Sequence, residues 1–166
     1  MEEASFTALI EEHQGIIHKV ARMYSDDPEE TSDLFQEILL QIWKSRDSFS
    51  GKSKVSTWMY RIALNTAISG LRKKKRRPQS LSLSEKEFQL PTGSGEWDRE
   101  QQERTVFLHR AIDRLSKVEK AIIMLYLDSH SYEEIAEITG ITPNHVGVKI
   151  NRIKAKLRKW MTPHFS

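Results

Sequence analysis

Apolar side chains recur along this chain at steps of three and four, and no stretch alternates convincingly. That periodicity restricts the chain to helices packed on helices. Phe6, Leu9, Ile10, His13, Ile16, Ile17, Val20 and Tyr24 share one face of a first helix. Asp27-Pro28 reads as an N-cap followed by proline at the first helical position. Leu34, Phe35, Ile38, Leu39, Ile42 and Trp43 form a second stripe. Residues 47–54 hold Ser, Gly and Lys without an apolar pattern, so they read as a loop. A third helix starts near Ser56, carries Trp58, Met59, Ile62, Ala63 and Thr66, and stops before Pro78.

Beyond Pro78 the periodicity fades. Ser80, Ser82, Ser84, Pro91, Thr92, Gly93, Ser94 and Gly95 mark a flexible linker over 79–99. Four short helices follow. Val106, Phe107, Ala111 and Leu115 belong to the first. Ser116 and Glu119 form a capping box that opens the second, with Ile122, Ile123 and Tyr126. Ser131 and Glu134 form another box, and Thr142-Pro143 launches a last helix toward Trp160. The expectation is an all-α fold: two small helical domains, 1–78 and 100–166, joined by a flexible linker, the C-terminal one a helix-turn-helix. A chain of 166 residues has room for two such domains.

Composition removes several function classes. With no cysteine, there is no disulfide scaffold, thiolate zinc site or cysteine nucleophile. The six histidines are scattered without a His-Glu-x-x-His or Glu-x-x-His spacing, and no phosphate-binding glycine loop occurs. No enzyme activity, metal or cofactor is expected. No apolar run reaches the ~18 residues that span a membrane. The start, MEEASFTALIEEHQ, lacks a signal peptide's basic and apolar regions. A cytoplasmic protein without membrane insertion is expected.

The net charge of +3 conceals two purely basic blocks. Residues 51–79 carry nine basic side chains and 138–166 carry six, with no acidic residue in either. Acidic segments separate them, a pattern that suits two separate polyanion contacts.

Residues Ser131 to Leu157 carry the strongest motif, a helix-turn-helix. A helix over Tyr132–Thr139 ends at Gly140, where a sharp turn needs a left-handed residue. Ala136 is small enough to let two helices approach. Val146, Ile150, Ile153 and Leu157 would face the core, leaving Asn144, His145, Val148, Lys149, Asn151, Arg152 and Lys156 on the opposite and flanking positions. Amides and a guanidinium suit base edges, lysine suits phosphate and Val148 suits a thymine methyl.

Two further patterns stand upstream. Phe49, Trp58 and Tyr60 lie among Lys52, Lys54, Arg61 and the basic run 72–77. Trp58, Arg61 and Asn65 share one side of a helix, and aromatics beside cations suit unstacked bases on a phosphate track. Trp58 suits either that platform or the core, and composition does not separate duplex from single-strand contact. Asp33, Gln36, Glu37 and Gln41 form an acidic and amide stripe opposite the apolar side of the second helix. It is either a wet surface or a docking face.

Three segments in this order resemble a bacterial extracytoplasmic-function sigma factor, the smallest class of the sigma-70 family. They are SDLFQEILLQIWKS (32–45), FSGKSKVSTWMYRIALNTAISGLRKKKRR (49–77) and LSKVEKAIIMLYLDSHSYEEIAEITGITPNHVGVKINRIKAKLRK (115–159). The resemblance implies a transcription initiation factor whose partners are core RNA polymerase, promoter DNA (duplex and melted strand) and an anti-sigma factor. It assigns Asp33, Gln36, Glu37 and Gln41 to core polymerase. Phe49, Lys52, Lys54, Trp58, Arg61, Asn65, Arg72 and Lys73 would read and help melt the −10 element. The last helix, through the outward residues named above, would enter the major groove at the −35 element. The chain departs from the family pattern at Ser50 and Lys52.

Overall fold

The computed structural model describes residues 2–73 and 99–165. The expected linker up to residue 98 and the basic run beyond Lys73 lie outside the described residues. Among the described residues every regular element is helical, and they fall into two units.

The first unit holds α1 (Glu3–Met23), α2 (Pro28–Lys44), a single 3-10 turn (Arg46–Ser48) and α3 (Val55–Lys73), each long helix packing on the other two. Its local signals are met. Glu30 N–H donates to Asp27 Oδ1 at 2.8 Å, which caps the first turn of α2, and Asp26 N–H, just before the cap, donates to Glu30 Oε2 at 2.9 Å. The α1 stripe is only partly interior: Phe6, Ile17, Val20 and Tyr24 are buried, whereas Leu9, Ile10, His13 and Ile16 are half-buried. Leu34, Ile38 and Ile42, four apart, form the buried line of α2. Met59, Ala63, Leu64 and Ala67 supply that of α3. Each large apolar side chain so enclosed stabilises the unit by about 1.5–3 kcal/mol.

The second unit holds α4 (Arg99–Asp113), α5 (Lys117–Leu127), α6 (Tyr132–Thr139) and α7 (Pro143–Phe165). The expected linker thus ends one residue inside α4, and α7 runs past Trp160. Five consecutive residues of α5, Ala121 to Leu125, are buried, so over this stretch the helix is enclosed all round rather than along one stripe. Helix α7 packs on both α4 and α5. Gly140 has φ +82°, the left-handed value that ends α6. Ser129 also takes a positive φ, 67°, in the turn between α5 and α6, without glycine to signal it.

Both capping boxes form. Ser131 Oγ accepts from Glu134 N–H at 3.1 Å, and Glu134 Oε1 accepts from Ser131 N–H at 3.3 Å. In the other, Glu119 Oε1 accepts from Ser116 N–H at 3.1 Å, while Glu119 Oε2 accepts from Lys156 Nζ at 2.8 Å. Partial burial would raise the Glu119 carboxyl, but the hydrogen bonds from Lys156 and Ser116 outweigh it and hold the group below the usual carboxylate range. Burial likewise holds the half-buried His109 imidazole below its ordinary value, with Asp113 opposing and Lys120 adding to the effect.

Two outcomes are expected. Gly140→Ala forces a side chain into the left-handed region and should lower the unfolding free energy by about 1–2 kcal/mol in a denaturant titration. Acid should destabilise the chain in two steps. A group whose folded pKa is depressed contributes stability above its unfolded pKa and loses it as pH falls through the folded one. His109 acts below about 6.5 and Glu119 below about 4.3. The stability difference between wild type and Glu119→Gln should be constant from neutral pH to about 5 and vanish at lower pH.

Candidate nucleic-acid and partner interfaces

The recognition surface of the second unit is built from the core outward. Val146, Ile150 and Ile153 are fully buried and Leu157 nearly so, which fixes the rotation of α7 about its axis. At 100° per residue, Asn144, Val148 and Asn151 then point away from the core, with His145 and Arg152 beside them. All five are exposed, Val148 by 45%. Lys149 is half-buried on the flank. Thr142 Oγ1 accepts from His145 N–H at 3.2 Å, capping the end of α7 that presents these groups. The arrangement matches a helix that enters a major groove with its first turns.

Lys156, expected on the DNA-facing flank, makes an ion pair within the unit. Its ammonium is turned back onto Glu119, because the α5 carboxylate stands within reach of that flank of α7. Gly147 is a residue that sequence reasoning missed. A methyl group there would stand 3.3 Å from Tyr132 Cε2, so glycine lets the ring of Tyr132, at the start of α6, lie close over α7. The available signal was the absence of a side chain between Val146 and Val148.

In the first unit, the loop before α3 is anchored by rings. Phe6 meets Trp43 edge-on at 5.6 Å and Trp58 at 6.3 Å, and Phe49 lies 5.2 Å from Trp58. Arg46 stacks over Trp43 at 4.3 Å. Lys52 and Lys54 are exposed on the loop, where Gly51 takes φ +77°. Arg61 and Asn65 are exposed on α3. Trp58 corrects the expectation of an accessible base platform: it is only 9% exposed and packs edge-on with Phe6 and at a tilt with Phe49. It therefore does not share an accessible side with Arg61 and Asn65. Tyr60 is also buried. Helix α3 extends through Lys73, but the side chains of Arg72 and Lys73 lie outside the described residues.

On α2, Asp33, Gln36 and Glu37 are exposed and Gln41 is half-buried. Leu40 joins them with 49% of its surface exposed, an apolar group within a polar stripe. Its signal was the triplet Ile38-Leu39-Leu40, whose third member falls out of phase with the buried line. Glu37 leans toward α3, where a methyl group at Gly70 would stand 3.6 Å from Glu37 Oε2. Among the described residues, no three His, Asp or Glu side chains are grouped to hold a metal, and no helix is long and apolar enough to cross a membrane.

Comparison with known proteins matches both units. Sigma-70 region 2 covers residues 9–77, and sigma-70 region 4 covers residues 102–157. The ECF RNA polymerase sigma factor SigG of Mycobacterium tuberculosis is 42% identical over 66 residues, but that match spans 40% of this chain and only 15% of SigG. The ECF RNA polymerase sigma-E factor of Escherichia coli is 30% identical over 175 residues, spanning 98% of this chain and 89% of that one. Among solved structures, the sigma factor RpoE of Bartonella quintana, crystallised with the anti-sigma factor NepR, superposes with a TM-score of 0.73. It is 22% identical and covers 95% of this chain and 97% of its own, a likeness of fold. Two sigma-70 regions in order, and a relative matched over nearly its full length, establish that this chain belongs to the extracytoplasmic-function sigma factors of the sigma-70 family.

Proposed function

We propose that this sigma factor binds core RNA polymerase through the exposed face of α2 and directs it to promoters through two DNA-reading surfaces. Residues 1–78 act as the region 2 domain and 100–166 as the region 4 domain, with 79–99 joining them. Helix α7 reads the −35 element. The observation that carries this assignment is its division into a buried line, Val146, Ile150 and Ile153, and an exposed set, Asn144, His145, Val148, Asn151 and Arg152. The exposed set holds amide, guanidinium and apolar groups, the chemistry that separates bases in a major groove.

The loop 49–54 with Arg61 and Asn65 contacts the −10 element and aids its melting. Lys52, Lys54 and Arg61 follow the phosphates, Asn65 offers an amide, and Trp58 supports the loop from below. Arg72 and Lys73 extend the basic track. On α2, Asp33, Gln36, Glu37 and Gln41 surround Leu40, so the face combines an apolar contact with charge that suits a basic partner surface. The protein acts inside the cell and carries no catalytic step of its own. An anti-sigma factor controls it, a reading supported by the fold shared with RpoE, which was crystallised with NepR.

Two experiments test these assignments. Replacing both Gln36 and Glu37 by alanine should weaken binding to core polymerase and leave the circular-dichroism helix signal unchanged, since neither side chain is buried. Unaltered polymerase affinity would return the α2 face to ordinary wet surface. For α7, the holoenzyme should be offered promoters with randomised upstream sequence. Asn144→Ala and Arg152→Ala should each cost about 1–3 kcal/mol and relax preference at particular positions. If both variants select the same sequence as wild type, α7 is not the upstream reader. A uniform loss on all sequences would place both residues on phosphates.

A further inference from the structure

Helix α7 carries six basic side chains, Lys149, Arg152, Lys154, Lys156, Arg158 and Lys159, but α5 holds two of them. Lys154 Nζ donates to Tyr126 Oη at 2.8 Å and lies 4.5 Å from the centre of that ring. Lys156 Nζ donates to Glu119 Oε2 at 2.8 Å.

Glu119 is not a loosely held surface partner. Its other oxygen accepts from Ser116 N–H at 3.1 Å, and its own N–H donates to Ser116 Oγ at 3.2 Å. Its side chain is 17% exposed, against 49% for Lys156. The capping box thus fixes a carboxylate in place, and the lysine comes to it. A mobile surface pair would yield readily to a DNA phosphate. A carboxylate already ordered by its own backbone gives up less freedom in holding the ammonium, and its negative charge repels any phosphate approaching the same flank.

We infer that Glu119 is a positioning residue for DNA binding, withholding Lys156 from the phosphate backbone and so limiting the sequence-independent part of the affinity of α7. The inference rests on the reading of α7 as the −35 reader. It follows from how polyelectrolyte binding works: each phosphate neutralised by a protein cation releases counterions, and a cation already neutralised within the protein releases none. Glu119 lies on α5, which is not the helix that carries the base-reading set, so it acts through Lys156.

The test is the salt dependence of duplex binding by the holoenzyme, on DNA with and without the selected promoter. Glu119→Gln keeps an amide oxygen for the Ser116 N–H and removes the charge. On both duplexes the slope of log affinity against log salt should steepen by about 0.9, an extra loss of about 3.5-fold between about 50 and 200 mM. Adding Lys156→Ala to Glu119→Gln should return the slope to that of wild type. The exchanged pair, Glu119→Lys with Lys156→Glu, keeps an ion pair between the same two positions and should also show the wild-type slope. An unchanged slope in Glu119→Gln overturns the inference, as does steepening that survives Lys156→Ala or a shallower slope in the exchanged pair. A purely structural role for Glu119 would lower the unfolding midpoint and leave the slope alone. Failure of the −35 reading shows itself separately, as unchanged promoter selection in Asn144→Ala and Arg152→Ala.

Discussion

Burial of Val146, Ile150 and Ile153 against the second unit's core governs what the rest of that unit can present. Their spacing of four and three leaves one rotation of α7 that hides all of them. Turning the helix by one residue, 100°, would bring polar and charged side chains inward, where an unpaired charge costs several kcal/mol. The exposed set is therefore set by what must be hidden. Helix α5 supports this arrangement from the other side. It is buried over Ala121–Leu125, and its Glu119 and Tyr126 reach Lys156 and Lys154 on α7. One helix thus supplies apolar contact and acceptors for α7.

The first unit solves a different problem, that of holding an irregular loop in place. Residues 49–54 contain no regular element, so few backbone hydrogen bonds order them. Ring contacts do that work instead. Phe49 rests on Trp58, Trp58 meets Phe6, and Phe6 meets Trp43, so the loop base is tied to all three helices of the unit. Edge-on aromatic contacts of this kind add about 0.5–1.5 kcal/mol each beyond the area they bury. Lys52 and Lys54 are displayed on a platform whose aromatic members are largely spent on packing.

Much of the fold was legible because its signals are local. A cap needs an oxygen within three residues of the amide that it satisfies. Asp27-Pro28, Ser116 with Glu119, and Ser131 with Glu134 announce helix starts in the sequence and form as expected. Gly140 declares its left-handed turn for the same reason. The buried line of α7 was readable too, since four apolar residues at helical spacing fall on one face whatever covers it.

What the sequence by itself determined is therefore where helices start and stop, which side of α7 is apolar, and where basic charge collects. Only the tertiary structure decided which of these groups remain available. Trp58 and Asn65 are seven residues apart and fall within about 20° of each other around α3. One is buried and the other exposed, because Phe49 and Phe6 cover the first position. Lys156 looked like one more cation in a basic block, yet its partner Glu119 lies 37 residues away on another helix. Helix periodicity specifies direction around an axis. What stands in that direction depends on chain segments remote in sequence, and only packing brings them there.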